Sequence, residues 1–123
     1  MAGLKHIERN IASYIAKYYH NVAEIGVGQN PETALILRDY GVKVFCTDIR
    51  PSPTIPGVRI VCDDIFAPNL ELYRGLDLIY SIRPHEEMMP GLIALAREVD
   101  CDLLVYHLGF EGFQNGGELI DCG

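Results

Sequence analysis

The residues of this 123-residue chain best suited to chemistry fall at or just beyond the ends of apolar runs, and most of them are acidic. Glu24 stands two positions before Gly26 and Gly28, Asp48 and the Asp63-Asp64 pair each close an apolar run, and Ser81, Arg83, His85 and Glu86 gather after another. The stretch from Asn21 to Asn30 reads as a strand that enters a glycine turn and then a helix opening at Pro31. Such a turn brings backbone N–H groups up to a ligand.

Two nucleotide devices fail on these residues. A dinucleotide fingerprint needs a small residue where Pro31 stands, and a phosphate loop needs a Lys-Ser or Lys-Thr pair after its second glycine, which is missing. Charge points the same way, because Glu24, Glu32, Asp48, Asp63 and Asp64 would share one edge and repel a pyrophosphate at the helix amino terminus. An ammonium, a sulfonium and ribose hydroxyls suit that edge better, and S-adenosylmethionine carries all three.

The elements that must hold these residues follow from periodicity. Apolar positions Leu4, Ile7, Ile11, Tyr14, Ile15 and Tyr18 predict an amphipathic helix over 4–19. Strands are expected at 22–27, 42–47, 58–62, 76–82 and 103–108, and helices at 31–40 and 86–99, with 65–74 a weak helical or irregular link. Asn30 is the expected cap of the second helix and Pro31 its first residue. Three prolines make 50–57 a loop. Strands that are apolar on both faces and alternate with helices describe a single α/β domain over 1–123, a doubly wound parallel sheet with helices on both sides. Ligands of such sheets bind outside the carboxyl ends of the strands, where all the named polar residues fall. Asn115-Gly116 signals a short carboxy-terminal hairpin.

The segment Glu24-Ile-Gly-Val-Gly-Gln-Asn30 resembles the first motif of Rossmann-like, S-adenosylmethionine-dependent methyltransferases, acidic-x-Gly-x-Gly-x-Gly, with Asn30 in place of the last glycine. The resemblance implies five parallel strands in the order 3-2-1-4-5. It also implies that Glu24 serves the methionine amino group, that Gly26, Gly28 and Asn30 form the cofactor turn, and that Asp48 takes the ribose hydroxyls. Asp63 or Asp64 with Ile65 would flank the adenine, and Ser81 would complete the cofactor site. Over nearly its whole length the chain is also similar to a small, uncharacterised archaeal family with a truncated fold of this kind, whose members carry a similar Ser-Ile-Arg-Pro segment after the fourth strand.

Methyl transfer asks a protein to align a nucleophile and receive a proton. Arg83 could orient an anionic acceptor, and His85 or Glu86 could be the base. The structural alternative pairs Arg83 with Glu86 and has His85 open a helix. The Asn/Asp-Pro-Pro-aromatic motif of exocyclic-amine methyltransferases is missing, so two readings stand: a small methyltransferase of unknown acceptor, or a noncatalytic accessory or ligand-sensing module that keeps the fold.

The net charge of −7 supplies no basic stripe, so nonspecific nucleic-acid binding is not expected. Cys46, Cys62, Cys101 and Cys122 lack the short paired spacing of zinc sites; buried free thiols are the plain reading beside a disulfide or metal role, and no metal site is assigned. Tyr14, Tyr18 and Tyr19 read as packing residues rather than a base-stacking surface, and His6 and His20 as solvent-facing. Neither a signal peptide nor the roughly 20 apolar residues of a membrane span is legible, so a cytoplasmic protein is expected. The fifth strand would be a bare edge, which proteins seldom leave open. It is expected to pair with the tail, with a second copy in a homodimer, or with another protein.

Overall fold

A computed structural model describes residues 2–28, 30–50 and 56–106. Helix α1 (Ala2–Tyr18) presents Ile11, Ala12 and Ile15 to the core, as the three- and four-residue spacing requires. Strand β1 (Asn21–Ile25) follows and is buried along nearly its whole length. It is shorter than the apolar run because Gly26 adopts a left-handed backbone with φ of 74°, and the N–H groups of Gly26 and Val27 both turn to donate to the Thr47 carbonyl, at 2.9 and 3.1 Å.

Helix α2 spans Glu32–Asp39 with Pro31 as its cap, one residue later than the sequence suggests. Asn30 nevertheless performs a capping contact, its Oδ1 accepting from Glu32 N at 3.2 Å. Strands β2 (Lys43–Asp48) and β3 (Ile60–Cys62) come next, the latter only three residues long. Residues 51–55 of the proline-rich loop between them lie outside the described residues. A 3-10 turn at Leu70–Tyr73 then leads to β4 (Leu78–Ile82). The expected third helix divides into a 3-10 turn at Glu86–Met88 and helix α3 (Met89–Val99), with Pro90 in its first turn, where its missing N–H costs nothing. Strand β5 (Asp102–Tyr106) completes the sheet.

The five strands are all parallel, in the order β3-β2-β1-β4-β5. Alternation of side chains along them builds two cores. Ala23, Ile25 and Ile79 pack with Leu92 and Leu95 of α3, whereas Val22, Leu78 and Tyr80 pack with Ile11 and Ile15 of α1 and Leu37 of α2. Gly91 permits close seating of α3, since a Cβ there would meet the Ile65 carbonyl oxygen at 3.0 Å. Cys46 is buried in a third, smaller cluster with Val27 and Ala34, and burial pushes its thiol up. Cys62 is a free but exposed thiol, contrary to the expectation of burial, because β3 is an edge strand.

Among the described residues no helix is long and apolar enough to cross a membrane. Cys122, the hairpin signal at Asn115-Gly116 and the tail offered as a partner for β5 lie outside the described residues.

Candidate functional site

The chain leaves β1 toward β2 on one side, while β4 pairs on the other, so the carboxyl ends of β1 and β4 part at a switch point. The last ladder pair between them is Glu24 with Tyr80. Beyond it, Ser81 Oγ donates to the Ile25 carbonyl at 2.8 Å, tying the two strands together just before they separate. A cleft of about 600 Å³ opens there, in the position where open α/β sheets take ligands.

Its floor is the glycine turn. Gly28, with φ of 59°, faces open space: a Cβ added there would meet nothing within 4 Å. Gly26 is closer to its surroundings, with Met88 Cε 3.2 Å from where its Cβ would stand. The turn is fastened to the end of β2 by Asp48, whose Oδ2 accepts from Gly28 N at 2.7 Å and whose Oδ1 accepts from Arg50 N at 3.1 Å. Each carboxylate oxygen has a second lone pair, so Asp48 can hold the turn and still accept hydroxyl protons from the cleft it lines.

The outer wall comes from the segment after β3. Asp63 and Asp64 both line the cleft, but their bonding differs. Asp63 spends both oxygens on the fold, Oδ2 accepting from the buried Tyr73 hydroxyl at 2.5 Å and Oδ1 from Asn69 N at 3.1 Å. Burial and then this contact raise the Tyr73 phenol well above its ordinary value. Asp64 caps a local turn through Oδ1 and Phe66 N at 2.9 Å. Ile65 is buried behind it, while Ile49 and Phe66 are 59% and 61% exposed and also line the cleft. Two large apolar side chains left in water beside an acidic edge are what a flat, apolar ring would cover.

The inner wall follows β4. Arg83 has a left-handed backbone, φ 52°, pinned by its own N–H donating to the Tyr106 carbonyl at 2.8 Å. Its guanidinium carbon lies 5.6 Å from the centre of the Tyr106 ring. Neither ion pair among the described residues involves Arg83, so the alternative pairing with Glu86 is not formed. His85 does open the following 3-10 turn. It and Glu87 line the cleft, and Glu86 does not.

Glu24, Asn30 and Ser81 are also absent from the cleft lining. Alternation puts Glu24 with Val22 on the α1–α2 side of the sheet, where it is 2% exposed and its Oε1 accepts from Tyr80 Oη at 2.8 Å. Burial pushes its carboxyl up to about 8, with nearby Glu8 adding to the shift and the Tyr80 hydrogen bond opposing it. Glu8 of α1, 3% exposed, accepts from Asn30 Nδ2 at 2.6 Å. The buried Thr33 Oγ1 lacks a partner. A second polar group thus sits behind the glycine turn, on the opposite side from the cleft.

Sequence reasoning missed Glu8, Ile49, Phe66 and Glu87. Glu8 had a signal, as an acid on the stripe of Ile11, Ala12 and Ile15. Ile49 and Phe66 had a weaker one: each comes just after an acid that closes a strand or opens the turn beyond it.

The model of an uncharacterised protein family, UPF0146, matches residues 8–115. A UPF0146 protein of Archaeoglobus fulgidus is 38% identical over 96 residues, covering 77% of this chain and 74% of that one. One from Pyrococcus horikoshii is 38% identical over 104 residues, covering 81% and 79%, and one from Halobacterium salinarum is 30% identical over 101 residues, covering 82% and 78%. Among solved structures, a Burkholderia pseudomallei protein superposes with a TM-score of 0.54 at 17% identity, over 70% of this chain and 46% of that one. That likeness concerns the fold alone, and the chain spans less than half the length of that protein. The chain belongs to the UPF0146 family.

Proposed function

With membership of that family as the premise, we propose that the cleft binds S-adenosylmethionine or a close adenosyl relative, and that the protein is methyltransferase-like. One observation carries the reading: the Asp48 carboxylate, anchored to Gly28 N at 2.7 Å, stands between an open glycine turn and the exposed pair Ile49 and Phe66. A ribose diol needs an acceptor, its purine needs apolar cover, and the two occur here side by side. Acidic residues on the remaining walls disfavour a pyrophosphate and tolerate a cation.

In this reading Asp48 accepts from the ribose hydroxyls, Ile49, Ile65 and Phe66 cover the adenine, and Gly26 and Gly28 let the chain of the ligand pass close to the backbone. Asp64 has lone pairs left for the adenine edge, while Asp63 positions that wall through Tyr73 and Asn69. When bound, the sulfonium supplies a methyl group activated for in-line displacement. Glu24 serves the amino group only indirectly, from behind the turn, and Asn30 and Ser81 shape the turn and the strand ends.

The second reading, a binding module without turnover, is favoured by one feature. Among the described residues no side-chain hydrogen bond orients His85, Glu86 or Glu87, and a general base ordinarily has such a partner.

Calorimetry with S-adenosylmethionine and S-adenosylhomocysteine tests the reading. Micromolar binding is expected, with Asp48→Ala weakening it at least a hundredfold while the far-ultraviolet spectrum keeps its α/β shape. No heat with either compound, or binding indifferent to Asp48, would defeat the assignment. Binding without methyl transfer to any component of a mixed cell extract favours the module.

A further inference from the structure

Among the described residues that line the cleft, Arg83 is the one with a buried side-chain donor left without an acceptor. Its Nε is buried and has no acceptor, no carboxylate among the described residues pairs with it, and its guanidinium leans on the Tyr106 ring instead. Three of the cleft's acids, by contrast, each hold donors of the fold, Asp48 two backbone N–H groups, Asp63 those of Tyr73 and Asn69 and Asp64 that of Phe66, while Glu87 lines the cleft without pairing with Arg83. In a chain of net charge −7, a cleft-lining cation that avoids every one of those carboxylates is held apart. What holds it is the backbone, fixed in a left-handed conformation by the bond from Arg83 N to the neighbouring strand.

A guanidinium lying over an aromatic ring keeps its two terminal nitrogens free to donate, and their parallel N–H groups match the two oxygens of a carboxylate or phosphate. We propose that Arg83 receives an oxyanion carried by the second molecule in the cleft. The methyl acceptor is then an acid or a phosphorylated compound, and the adenosyl ligand lies on the β2 side. This rests on the adenosyl reading for the identity of the first ligand, though the oxyanion site itself does not.

The shared chemistry has a second source, the carboxylate of the adenosyl ligand's own methionine group, and the experiment separates the two. The full chain is titrated with inorganic phosphate, following the Arg83 Nε–H resonance by nitrogen-15 NMR, and calorimetry compares S-adenosylmethionine with 5′-methylthioadenosine in the wild type and in Arg83→Met. Expected are a saturable shift of that resonance with phosphate, at least tenfold loss of phosphate affinity in R83M, and affinities for both adenosyl compounds unchanged within twofold. Phosphate should bind equally to protein already saturated with S-adenosylmethionine.

A tenfold loss for S-adenosylmethionine but not for 5′-methylthioadenosine, with phosphate competing against the former, would assign Arg83 to the ligand's own carboxylate and overturn the proposal. So would a resonance that phosphate leaves unmoved, a measurement on the wild type that needs no folded variant. If phosphate binds through Arg83 while every adenosyl compound is ignored, the oxyanion site stands and the adenosyl reading falls.

Discussion

Asp48 and Glu24 end adjacent strands on either side of the same glycine turn, and their surroundings have made them different reagents. Asp48 lines the cleft, with each oxygen accepting from a backbone N–H and a second lone pair on each left over. Glu24 faces α1 and α2, is sealed from water, and keeps its proton up to a pH of about 8. The acid in front can bind hydroxyls, and the acid behind is a neutral hydrogen-bonding group. Two carboxyls beside one glycine turn therefore do not add up to a doubly charged site. Which face of the sheet each side chain takes decides its chemistry.

Replacing the carboxyl by the isosteric amide at each position breaks or sharpens that contrast. Asp48→Asn should weaken adenosyl binding more than tenfold, or about 1.4 kcal/mol and above, whereas Glu24→Gln should leave it within twofold in the same calorimeter. Equal losses would mean that Glu24 contacts the ligand after all.

Stability against pH tests the same contrast on folding rather than on binding. An unfolded glutamate has lost its proton above its ordinary value of 4.5, while the folded Glu24 retains it to about 8. Folding thus takes up a proton between those limits, so stability falls as pH rises through the window, by roughly 3–5 kcal/mol, and levels off above it. Glu24→Gln keeps an acceptor for Tyr80 and has no proton to lose. It should flatten the decline and raise the melting temperature at pH 9 by at least about 5 °C. A wild-type curve with no downward slope between pH 5 and 8 would refute the buried, protonated state.

The smallest effect concerns the tie between the turn and α1. Asn30→Ala removes the 2.6 Å contact to Glu8 and leaves a buried carboxyl short of a donor. It should cost about 1–3 kcal/mol in denaturant unfolding, with adenosyl affinity reduced less than fivefold. A larger loss of binding than of stability would move Asn30 to the cleft side.

Much of this organisation was legible in the residues. Strand positions, the parallel sheet and the gathering of Asp48, Asp63, Asp64, Arg83 and His85 at one edge follow from apolar runs that each end on a polar group, whereas the strand order 3-2-1-4-5 was implied only by the resemblance to the methyltransferase class. Element ends were less legible: β1 stops at Ile25 because Gly26 and Val27 turn to Thr47, a residue on the next strand and far off in the chain. The cofactor role expected of Glu24 overlooked the strand's own alternation, which pairs it with Val22 and against Ala23 and Ile25. Arg83 was legible as a polar residue after β4 but not as a left-handed one, since its φ is set by Tyr106 on the neighbouring strand. The close seat of Gly91 on Ile65 had no sequence signal, because a glycine within a helical pattern looks the same whether or not a neighbour presses on it.

The contact between Tyr80 and Glu24 also gives the protein an optical indicator. The chain has no tryptophan, so its near-ultraviolet absorbance belongs mainly to tyrosine, and Tyr80 is the phenol that donates to Glu24. When that carboxyl ionises, a negative charge appears against a ring fixed in the middle of the sheet. The absorption band of the ring then moves without the phenol itself losing a proton. Difference absorbance of the unlabelled protein reads the charge behind the glycine turn directly, while any ligand is titrated in front of it.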